Sequence, residues 1–144
     1  MFGIENAKDR LGLLKADYAK LVQYPLNISL AEKACSDAWH LNDWVYKEKQ
    51  TLNNLLTLEE FRKVLYEECP EMRILHDIVN TSKHKELSRP KARIIKTKKH
   101  SGAFSSDFSN DFDISRLEVY LEKGSKIDID DLLKIAIDYW SKHI

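Results

Sequence analysis

Ser29-Leu30-Ala31-Glu32-Lys33-Ala34-Cys35-Ser36-Asp37-Ala38-Trp39-His40-Leu41-Asn42-Asp43-Trp44-Val45 is the stretch that decides the fold. It opens on Ser29-x-x-Glu32, a capping-box pattern in which each side chain can satisfy an orphan backbone donor at a helix start. At about 100° per residue, Ala34, Cys35, Ala38, Trp39, Leu41, Trp44 and Val45 cover well over half the circumference. A helix that apolar must be packed on more than one side. The segment, continuing to about Lys49, is therefore expected at the centre of a bundle.

The same period recurs on either side of this stretch. Ile4, Ala7, Leu11, Leu14, Tyr18 and Leu21 follow three- and four-residue steps and predict a first helix, closed by Pro25. Thr57-x-x-Glu60 is a second capping box, with Leu56 and Phe61 in the positions of a hydrophobic staple. The third helix it opens would bury Phe61, Val64 and Leu65 and end near Cys69. Pro70 suits the first turn of a fourth helix, where its missing N–H is not needed. That helix is expected to reach about Leu87, with Met72, Ile74, Leu75, Ile78 and Val79 inward.

The pattern changes after Arg89-Pro90. Ala92 to Lys98 has the β-branched content of a strand. Leu117, Val119 and Leu121 alternate with Glu118, Tyr120 and Glu122, the period of a half-buried strand. Lys123-Gly124-Ser125-Lys126 can turn the chain toward Ile127. Asp128 is then placed to cap a last helix carrying Ile129, Leu132, Leu133, Ala136, Ile137 and Trp140. The expected fold is mainly α: a four- to five-helix bundle with a small antiparallel β insertion, about residues 91–127, before the C-terminal helix. We read one domain over 1–144, with helices over 1–88, the β insertion over 89–127 and the last helix over 128–144.

Composition narrows the function classes. The 144 residues carry 23 Lys and Arg against 23 Asp and Glu, so no global charge points to nucleic acid or membrane. No apolar run approaches the length of a membrane span, and the first ten residues show no secretory signal; a cytoplasmic protein is expected. Cys35 and Cys69 make no disulfide framework, and Cys35 sits on an apolar face as a small core residue. There is no nucleophile elbow and no phosphate-cradling glycine loop. Charge is uneven locally. Lys83 to His100 holds eight Lys or Arg to one acid, whereas Ser101 to Asp131 holds eight acids to three bases. The basic stretch would suit RNA phosphates; the two stretches would also neutralise each other across the sheet or across a dimer interface.

The candidate chemistry lies on the fourth helix. Relative to Met72, Arg73, Asp77, Asn80 and His84 fall within a stripe about 60° wide, away from the apolar face. A neutral imidazole can move protons at neutral pH, and Arg with Asn can hold a phosphate or a developing anion. Lys83 adds a cation beside His84. On the second helix His40-x-x-Asp43 stands at facing spacing and offers a companion pair, provided that its sector meets the stripe. His76, Asn80 and His84 lie four apart, yet no Glu-x-x-His pair and no zinc-type cysteine spacing accompanies them. No metal and no cofactor are therefore expected. Phe104, Phe108 and Phe112 recur among Ser, Asp and Asn, as in a loop that packs down or covers a site.

Taken together, Trp39-His40-Leu41-Asn42-Asp43-Trp44, Cys69-Pro70, Asp77-x-x-Asn80-x-x-Lys83-His84 and Asp138-Tyr139-Trp140 resemble a family of small uncharacterised bacterial and prophage proteins. The resemblance spans nearly the whole chain and brings no activity with it. A looser likeness is to HEPN domains, helical bundles that often act as metal-independent RNases and commonly dimerise. There Asn80 and His84 look similar to the polar residue and histidine of the HEPN motif, although no Arg adjoins Asn80. Two readings follow. The first expected reading is a non-catalytic interaction or regulatory module, assembled as a homodimer. In the other, the domain binds or cleaves RNA: His84 is the general acid/base, Asn80 with Arg73 or Lys83 holds phosphate, and Asp77 orients the imidazole.

Overall fold

The structure is a computed structural model that describes residues 2–49, 56–83, 91–92, 94–100 and 116–144. Among these residues it is mainly helical, with five helices and a small three-stranded antiparallel sheet before the last of them. The expected end of the fourth helix beyond Lys83 and the Phe104–Phe112 segment lie outside the described residues.

Helix α1 runs Ala7–Gln23. Asn6 caps it by accepting the Asp9 N–H at 2.8 Å, and its buried face holds Ala7, Leu11, Leu14 and Leu21 as the period predicts. Helix α2, Ile28–Lys49, is central and packs against all four other helices. Its start differs from expectation. The helix begins one residue before Ser29, and Asn27 is the cap, its side chain accepting the Leu30 N–H at 3.0 Å. Asn and Ser serve equally well at such a position, so the helix starts where the turn after Pro25 delivers the chain. At the centre, Trp140 donates its indole N–H to the Ala38 carbonyl at 2.9 Å, joining α5 to α2.

Helix α3, Leu58–Glu68, opens on Thr57, whose hydroxyl accepts the Glu60 N–H at 3.1 Å. Leu65 is buried and Phe61 half-buried against Tyr46. Val64, expected inward, is exposed because α3 meets chiefly α2 and α4 and needs only a narrow apolar face. Helix α4, Met72–Lys83, follows a turn at Pro70-Glu71 and buries Met72, Ile74 and Leu75.

The sheet has the order β1 (Ile94–His100), β2 (Arg116–Leu121), β3 (Lys126–Asp128). Both pairings are antiparallel, with Thr97 opposite Val119 and Val119 opposite Ile127. Gly124, at φ +77°, supplies the left-handed residue of the tight connection between β2 and β3. The three-residue β3 is an addition to the expected hairpin; so short a strand leaves no periodicity to read. Glu118 is a second departure. Alternation assigns it to the outer side of β2, yet it is buried beside Val119 and ion-paired to Lys126 at 2.7 Å. Helix α5, Ile129–His143, buries Leu132, Leu133, Ala136 and Trp140. Asp128 stands at its cap position, but its side chain makes no capping hydrogen bond. No helix among the described residues is long and apolar enough to cross a membrane.

Candidate functional site

The helical wheel sets Asp77 opposite the apolar face of α4, yet the residue is fully buried. The chain returning toward β1 covers it. Both carboxylate oxygens accept the Lys91 N–H, at 2.8 and 2.9 Å, and Oδ2 also accepts the Ala92 N–H at 2.6 Å. His76 Nδ1 lies 2.7 Å from Oδ1, and against a carboxylate it is the protonated nitrogen that faces the oxygen. These bonds replace the water that the charge gives up, and they serve backbone donors that the approach to β1 leaves unpaired. The stripe expected to be turned away from the core is thus partly sealed under backbone.

Trp39 occupies the seam between α2 and α4. His76 meets its indole edge-on with ring centroids 5.2 Å apart, and Tyr66 of α3 stacks parallel to it at 6.0 Å. Two guanidiniums flank these rings: Arg62 lies 5.3 Å from the Trp39 centroid and Arg73 5.2 Å from that of Tyr66. Each is also hydrogen-bonded. Arg73 donates to the Tyr66 carbonyl at 3.1 Å, while Arg62 donates to Asn42 Oδ1 and to Asp43 Oδ1, both at 2.8 Å. Asn42, fully buried, returns a hydrogen bond to the Trp39 carbonyl. Burial of the Tyr66 phenol pushes its pKa up to about 12, so it stays protonated.

The predicted site residues separate into groups. Asp77 and Asn80 share α4, where the Asn80 amide donates to the His76 carbonyl at 2.8 Å. Arg73 is drawn onto Tyr66, and Lys83 is exposed in the last turn. Asp43 belongs to Arg62, with His40 Nδ1 3.8 Å from its other oxygen. His40 itself is more than half exposed, so Trp39 and not His40 is the α2 residue that faces α4. His84 lies outside the described residues.

Sequence patterns do not single out His76, Arg62 and Tyr66 as a site. Adjacent helical residues do not normally face one another, so spacing gives no sign that His76 partners Asp77. Arg62 and Tyr66 reach Trp39 from another helix, which no local pattern reveals.

A second feature is a groove of about 1180 Å³ between α2, the end of α4 and the β1–β2 pair. Ile28, Ala31, Cys35, Ile78, Val119 and Ile129 line its apolar side, and Lys96, Lys98 and Lys99 stand along its β1 wall. Burial pushes the Cys35 thiol up to about 12, so no thiolate is presented there. No group of three or more His, Cys, Asp or Glu among the described residues is placed to hold a metal ion. No family model matches this chain, and neither does any curated protein or solved structure.

Proposed function

We propose that this chain is a non-catalytic interaction or regulatory module that works as a homodimer. The observation that carries the reading is the commitment of the Asp77 carboxylate to the Lys91 and Ala92 backbone. In the RNA-cleaving alternative Asp77 would orient a catalytic imidazole at His84, and Asn80 would hold a phosphate. Asp77 instead meets three N–H···O contacts and the His76 ring, and the Asn80 amide is bound to a carbonyl. Asp43 is likewise taken by Arg62. Side chains used this way act as internal fasteners. Val22 and Tyr24, large apolar residues exposed at the end of α1, support a contact between copies.

The test is incubation of the purified chain with total RNA beside a His84→Ala variant, with light scattering on the same samples. The reading expects a dimer and no cleavage in either sample. RNA cleavage by the wild type that vanishes in His84→Ala overturns the non-catalytic reading, and a strict monomer removes the dimer.

A further inference from the structure

We draw no further inference here: the strongest candidate, the Arg62–Tyr66–Arg73 cluster where α3 meets α4, belongs to the site already described, with Arg62 held by Asn42 and Asp43 and Arg73 by the Tyr66 carbonyl.

Discussion

The Asp77 carboxylate on α4 accepts the backbone N–H of Ala92 at 2.6 Å, fifteen residues further along the chain. One buried side chain thereby ties the fourth helix to the approach of the first strand. That tie positions the groove wall, because β1 begins two residues later.

Helix α2 offers a test of which residue starts it. Asn27→Ala should cost about 1 kcal/mol, the usual worth of an N-cap, while Ser29→Ala should cost a few tenths at most. Urea midpoints of the two variants decide. Equal losses, or a larger loss at Ser29, would restore the capping box that the Ser29-x-x-Glu32 spacing suggests.

Asp17 of α1 and Asp37 of α2 share the ammonium of Lys33, at 2.6 and 3.1 Å. Burial, then the hydrogen bond that Asp37 donates to Asp17, pushes Asp37 up to about 6. Burial also acts against Asp17, but hydrogen bonds from Asp37 and Lys33 outweigh it and hold that carboxyl below its ordinary value. The signs oppose. Asp37 contributes stability below its ordinary value of 3.8, and that contribution is lost as pH rises through about 6. The Asp17 contribution is present above the ordinary carboxylate range and is lost in stronger acid. Asp37→Asn should therefore gain on the wild type, by on the order of 1–2 kcal/mol, as pH is raised from 4 to 7. Denaturant midpoints across that range check it, and a constant difference between the two proteins would contradict it.

Both thiols should resist labelling in the native state. Cys35 and Cys69 are buried, and burial pushes them up to about 12 and about 11. A thiol-reactive chromogenic disulfide should label neither at neutral pH within minutes and both promptly in denaturant. Rapid native labelling of Cys35 would show that the groove floor is open to solvent.

Much of the helical framework is legible in the sequence because burial leaves a periodic trace. Leu11, Leu14 and Leu21 on α1 and the broad apolar surface of α2 point to a bundle through spacing alone. Thr57 declares the start of α3 through local hydrogen-bond chemistry, which spacing captures. What spacing misses is a polar residue buried by a distant piece of chain. Asp77 reads as one member of a polar face because the backbone that covers it comes fourteen residues later. Glu118 follows strand alternation on paper, but Lys126 from β3 neutralises it, so its burial depends on a strand too short to recognise. The partnership of Trp39 with Tyr66 and His76 is tertiary for the same reason.

The most direct test of the account is the stability of Asp77→Asn by urea unfolding. A fastening carboxylate that serves two backbone donors predicts a loss of about 2–4 kcal/mol, since the amide cannot accept the same set of hydrogen bonds. A residue held for chemistry would leave stability unchanged or higher on substitution, and that result would contradict the structural role assigned to Asp77.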